Sequence, residues 1–211
     1  MAVITTGTFP GPAGRLEYIL NVNESGAPAT RAALVCHPHP AFGGTMHTKI
    51  VFQAAQELVH QGLPVLRFHF RGVGKSEGAY DHGHGERDDL EAALLYLRSL
   101  FPLPVVLAGF SFGATMVTKA LAAAPHPEVA QAILMGLPVD RGPIATDWRW
   151  HGPKAMISGD HDEYAAVPSL EAYFERLPEP KVRHWIQGGD HFIAGHHAEF
   201  RAALAAVVAR R

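Results

Sequence analysis

Short apolar runs rich in Val, Ile and Leu recur along this chain, and helix-like stretches fill the intervals between them. The runs are "LEYILNV" (16–22), "ALVCH" (33–37), "PVLRFHF" (64–70), "PVVLAG" (104–109), "QAILMG" (131–136), "KAMISG" (154–159) and "KVRHWI" (181–186). Most are continuously apolar rather than alternating, the pattern of strands covered on both faces. Between them, "TMHTKIVFQAAQELVHQG" ends at Gly62, a residue suited to closing a helix. "GERDDLEAALLYLRSL" puts Leu90, Leu94, Leu97 and Leu100 on one face and acids in its first turn, where the helix dipole favours them. "FGATMVTKALAAA", "PSLEAYFERL" and "HHAEFRAALAAVVARR" complete the helices. Strand and helix alternate from residue 33 onward, which predicts an α/β fold: a doubly wound, mostly parallel sheet flanked by helices. No helix separates the first two runs, which leaves room for an antiparallel edge. In such a sheet ligands sit at the carboxyl ends of the strands, so the chemistry is expected just after each run.

Bulk properties narrow the class. The 211 residues suit one domain, expected over 1–211. Hydrophobic residues make up 47% and charged residues 18%, a globular balance. A net charge of -2 gives no footprint for nucleic acid or an anionic membrane. No apolar run approaches the ~18 residues of a membrane span. The start, "MAVITTGTFPGPAG", lacks the basic and apolar regions of a signal peptide. A single cysteine, Cys36, excludes an internal disulfide and reads as a buried packing residue; the expected setting is cytoplasmic. Nothing in the sequence specifies an oligomeric state.

After "PVVLA" comes Gly109-Phe110-Ser111-Phe112-Gly113, then a helix. Gly-x-Ser-x-Gly between a strand and a helix is the context in which a serine becomes an exposed nucleophile. Such a tight turn strains the serine backbone, and side chains two residues either side would collide. A hydroxyl attacks only when a base takes its proton, and that base must be oriented by an acid. In sheets with this turn the partners follow in the order serine, acid, histidine. After "KAMIS" the chain reads Gly159-Asp160-His161-Asp162, and after "KVRHWI" it reads "QGGDHF". Asp162 is the expected acid and His191 the expected base. Asp160 is the rival acid, equally suited to capping its turn, and Asp190 reads as a turn residue. An oxyanion needs two N–H donors. Phe112 should supply one, and the loop His37-Pro38-His39-Pro40-Ala41-Phe42-Gly43-Gly44 the other. Prolines have no N–H, so His39 is the candidate, with Ala41 and Phe42 as fallbacks.

Two motifs point elsewhere and fail on inspection. "FHFRGVGKSEG" imitates a phosphate loop, but the first glycine of that motif is replaced by His69. A dinucleotide fingerprint would need glycine where Glu77 stands. His37-x-His39 and His82-x-His84, with Asp81 and Glu86 nearby, have metal-ligand spacing. Gly85-Glu86 follows the second pair, where a metallo-β-lactamase-type motif continues Asp-His, and Pro38 and Pro40 restrict the first. No metal or other cofactor is expected.

The motifs "HPHPAFGGTMHTKIV", "RFHFRGVGKSEG", "GERDDLEAALLYL", "GFSFGA", "SGDHDEYAAV" and "GGDHF" together resemble the α/β-hydrolase superfamily, more narrowly the small lidless bacterial hydrolases related to dienelactone hydrolase. The resemblance implies that Arg71, Gly72, Gly74 and Ser76 shape a structural loop and bind no phosphate. Relatives often show asparagine where this chain has His69. Dienelactone hydrolase uses a cysteine nucleophile, whereas Ser111 stands here. Larger relatives insert a lid between the fifth and sixth runs; here Leu137 to Pro153 is too short for a helical lid. An open pocket is expected, with Phe42, Phe110, Phe112, Trp148 and Trp150 as candidates for its apolar wall or, equally, for the core. The expected activity is hydrolysis of small, accessible carboxylic esters through an acyl-enzyme. A peptidase or thioesterase with the same triad, and a non-catalytic binding protein, are the alternatives.

Overall fold

The computed structural model describes residues 2–23 and 27–210. Among them eight strands form one sheet: β1 (Ala2–Gly11), β2 (Gly14–Asn23), β3 (Ala32–Cys36), β4 (Val65–Phe68), β5 (Val105–Phe110), β6 (Val129–Met135), β7 (Lys154–Gly159) and β8 (Lys181–Ile186). Their order is β1-β2-β4-β3-β5-β6-β7-β8. The helices are α1 (Lys49–His60), α2 (Gly85–Leu100), α3 (Phe112–Ala123), α4 (Val167–Arg176) and α5 (His197–Ala209). β3 through β8 run parallel, and β1 and β2 form an antiparallel hairpin whose second strand pairs antiparallel with β4. This is the doubly wound sheet with an antiparallel N-terminal edge that the sequence predicts. Arg211, the last residue of the predicted final helix, lies outside the described residues.

The continuous apolar runs have a simple cause. Successive residues of a strand point to opposite faces, and here both faces are covered. Leu34, Leu66, Leu107, Leu134 and Met156 pack toward α2, α3 and α4. Val35, Val65, Ala108, Ile133 and Ile157 pack toward α1 and α5. Cys36 is fully buried, and burial pushes its thiol pKa far up, so it is an inert packing residue.

Two differences from the sequence reading have local reasons. β1 is not among the expected runs, because Thr5, Thr6, Gly7 and Thr8 break its apolar pattern; it nonetheless pairs with β2 along its whole length, anchored by the buried Phe9. β4 stops at Phe68 rather than 70, and the Phe70 N–H leaves the ladder to donate to His37 Nε2 at 3.0 Å.

The loop after β4 is a structural turn. Gly72 and Gly74 have φ of 74° and 57°, and a Cβ on Gly74 would strike the His69 ring. Ser76 Oγ donates to His69 O (2.7 Å) and accepts from Glu17 N–H (2.9 Å), stitching the turn to β2. Arg71 makes a bidentate pair with fully buried Asp89 of α2 (Nε–Oδ2 3.0 Å, Nη2–Oδ1 2.7 Å). Removing either partner would strand a buried charge, at a cost of about 3–5 kcal/mol.

Candidate active site

β5 ends at Phe110 and α3 begins at Phe112, so Ser111 alone makes the turn. Its backbone sits at φ 54°, ψ -117°, a region side chains rarely occupy. The flanking glycines are required by sterics. A Cβ on Gly109 would strike the Gly113 backbone, and one on Gly113 would strike the carbonyls of Cys36 and His37. Among the described residues the non-glycine positions with φ in the left-handed region are His82, Ser111 and Ile193. Ile193 follows His191 by two positions, and the His82 ring lies 4.9 Å from that of Tyr80, which meets His39 of the loop after β3; such strain gathers at functional sites.

Ser111 Oγ lies 3.0 Å from His191 Nε2, and His191 Nδ1 lies 2.8 Å from Asp162 Oδ2. The two links fix one tautomer. Nδ1–H donates to the carboxylate, leaving Nε2 as the acceptor for the hydroxyl proton. The second oxygen of Asp162 accepts the Tyr164 N–H at 2.8 Å. Glu163 accepts the His191 backbone N–H at 3.2 Å. Around the imidazole stand the rings of Phe110 (5.0 Å), Tyr164 (4.5 Å) and Phe192 (5.2 Å). Asp160 does not reach His191. Its carboxylate accepts the Gly188 N–H at 2.7 Å and pairs with His161, lacing the turn after β7 to the turn after β8. Asp190 accepts the Ala194 N–H and is a turn residue.

The loop after β3 packs against the elbow. His37 is fully buried, with Nδ1–H donating to Pro38 O (2.6 Å) and Nε2 accepting from Phe70. Burial pushes its pKa down to about 3, so it is a neutral strut. His39 caps a single 3₁₀ turn, Pro40–Phe42: Ala41 N–H donates to His39 Nδ1 (3.2 Å) and Phe42 N–H to His39 O (3.1 Å). Both fallback oxyanion donors are thus engaged in the turn. Among the described residues the N–H groups of His39 and Phe112 have no protein acceptor. With His39 Nε2 meeting Tyr80 Oη at 3.1 Å, all four ring nitrogens of the His37-x-His39 pair are occupied by protein groups. Of the other metal-like residues, Glu86 accepts the N–H groups of Asp81 and Gly83, and Asp81 accepts that of Gly85. They cap α2 instead of converging on a cation.

Three of the expected wall residues are elsewhere. Trp148 and Trp150 are buried in the core beside α3, their indole N–H groups donating to Ala145 O and Val129 O. The segment 137–153 is short enough to be pulled inward, so its aromatics fill the core. Phe110 is also buried, behind His191. Phe42 is at the surface and 85% exposed, and Phe112 contacts the His39 ring at 4.9 Å. Sequence reasoning missed Tyr80, Tyr164 and Phe192, the last 48% exposed. Phe192 adjoins His191 in sequence and was findable; Tyr80 and Tyr164 reach the site only through tertiary folding.

The family described as "Serine aminopeptidase, S33" matches residues 29–148. Among solved structures, a lidless α/β serine hydrolase of Xanthomonas campestris has 33% sequence identity and a TM-score of 0.90, covering 98% of this chain and 94% of its own. An α/β serine hydrolase homologue of Coxiella burnetii has 35% identity and a TM-score of 0.89, covering 97% of each chain. An uncharacterized protein of Rickettsia prowazekii is 32% identical over 207 residues, 93% of this chain and 85% of that protein. The elbow, the sheet and these likenesses agree: the chain is a small, lidless member of the α/β-hydrolase superfamily, within the serine hydrolase family described as serine aminopeptidase, S33.

Proposed function

We propose that this hydrolase cleaves carboxylic esters by nucleophilic catalysis at Ser111. The observation that carries the reading is the continuous hydrogen-bonded line from Ser111 Oγ through His191 to Asp162, at 3.0 and 2.8 Å. His191 Nε2 takes the hydroxyl proton as Oγ bonds to the acyl carbon. The N–H groups of His39 and Phe112 hold the oxyanion. His191 then protonates the leaving alcohol, and water repeats the sequence on the acyl-enzyme. Asp162 keeps the proton on Nδ1 and stabilises the imidazolium. The absence of a lid helix between β6 and β7 favours small or accessible acyl groups.

The description of the matched family favours a second reading, an aminopeptidase using the same triad. A panel of p-nitrophenyl esters of rising chain length beside aminoacyl-p-nitroanilides separates the two. The ester reading expects turnover of short esters, and a preference for the anilides overturns it. A fluorophosphonate probe should label Ser111; an unlabelled, folded protein would mean a binding role on this fold.

A further inference from the structure

We propose that Tyr80 and Phe42, backed by the buried Phe112, form a subsite on the oxyanion-loop side of Ser111 for a flat aromatic substituent carrying a hydrogen-bond acceptor. The inference rests on the ester-hydrolase reading and names a substrate class for it.

The geometry fixes a proton. His39 Nδ1 accepts the Ala41 N–H, so it carries no hydrogen. Burial, reinforced by His82 and opposed by the Glu86 carboxylate, lowers the His39 pKa and keeps the ring neutral. The ring proton is therefore on Nε2, where it donates to Tyr80 Oη at 3.1 Å. That leaves the phenol's own hydrogen uncommitted, since no described residue accepts it. The phenol is half-buried, and burial and Glu86 raise its pKa, so it holds that hydrogen across the working range. Tyr80 thus presents an oriented O–H beside the loop whose His39 N–H faces the oxyanion.

The surroundings define what that donor would meet. The His39 ring lies 4.5 Å from Phe42 and 4.9 Å each from Tyr80 and Phe112. Phe112 follows Ser111 directly and is buried beneath the His39 ring, so it backs the accessible rings of Phe42 and Tyr80 rather than joining their surface. Phe42 is almost wholly solvent-exposed beside the half-buried rings of His39 and Tyr80. A flat apolar group laid against these rings gains stacking and area burial. The oxygen of an alkoxy or carbonyl substituent on that ring gains the Tyr80 hydrogen bond.

The test is a ratio of kcat/KM values. Matched pairs are p-nitrophenyl benzoate with p-nitrophenyl 4-methoxybenzoate, and phenyl acetate with 4-acetylphenyl acetate, the latter pair corrected for leaving-group pKa. In the natural chain the acceptor-bearing member of at least one pair should be favoured roughly tenfold, the size of one well-placed hydrogen bond. Tyr80→Phe should bring that ratio to about one, and Phe42→Ala should raise KM for the aromatic members several-fold more than for an aliphatic ester. No preference in the natural chain, or an equal loss on every substrate in Tyr80→Phe, overturns the subsite. Labelling of Ser111 by a fluorophosphonate separates the cases: a labelled enzyme without the preference sinks only the subsite, and an unlabelled one sinks the hydrolase reading beneath it.

Discussion

The turns after β7 and β8 are written alike and used differently. One reads Gly159-Asp160-His161 and the other Gly189-Asp190-His191, each at the carboxyl end of a strand. The side chain of His161 is 74% exposed and pairs with its neighbour Asp160. That of His191 is 3% exposed and reaches out of its own turn to Asp162 on one side and Ser111 on the other. The residue types are the same; what differs is whether the imidazole finds partners from other elements in a place closed to water. Asp160, two residues from Asp162, serves the backbone of the opposite turn, and Asp162 serves the ring.

The contrast can be broken, largest effect first. His191→Ala should lower kcat roughly 10⁶-fold, whereas His161→Ala should leave ester turnover within a few-fold; steady-state kinetics on one short ester decides. Asp162→Asn should cost about 10⁴-fold by favouring the wrong tautomer, and Asp160→Asn at most about tenfold, because its amide oxygen still accepts from Gly188. Reversal of that order would make Asp160 the acid. Gly159→Ala probes how closely the two turns approach: a Cβ there would strike the Gly189 backbone. It should lower stability by about 1–3 kcal/mol and widen the Asp162–His191 separation, read as a lower denaturation midpoint together with reduced kcat.

A third carboxylate–imidazole set sharpens the comparison. His126 sits between Glu91 (3.2 Å) and Glu128 (3.0 Å), and the Glu91 pairing, followed by Glu128 and opposed by burial, raises its pKa to about 9. The unfolded value is about 6.5. The charged clamp is therefore fully present below pH 6.5 and is lost as pH rises toward 9. Between pH 6.5 and 9 the natural chain should lose roughly 2 kcal/mol, several °C in Tm, relative to His126→Gln, whose Tm should not follow that slope.

How much of this was legible follows from where each signal lives. The helices and seven of the strands were readable because apolar periodicity is local, and β7 and β8 were placed with their observed bounds. β1 was overlooked because Thr and Gly dilute its pattern. Ser111, Asp162 and His191 could be picked out by type and position at strand ends. The His37 and His39 rings could not: their spacing suits a metal, and only their hydrogen-bond partners from Phe70, Ala41 and Tyr80 reveal one as a strut and the other as a loop cap. Trp148 and Trp150 went to the core because burial depends on which way a short segment folds.

The backbone of Ser111 has a further consequence. Held at a positive φ, it costs the folded state roughly 1–3 kcal/mol, a sizeable fraction of the ~5–15 kcal/mol that keeps a domain of ordinary stability folded. Glycine would sit there at ease, so a lineage drifting toward firmness alone would shed the hydroxyl first. The proposed role of that oxygen as the nucleophile accounts for a serine at so strained a position.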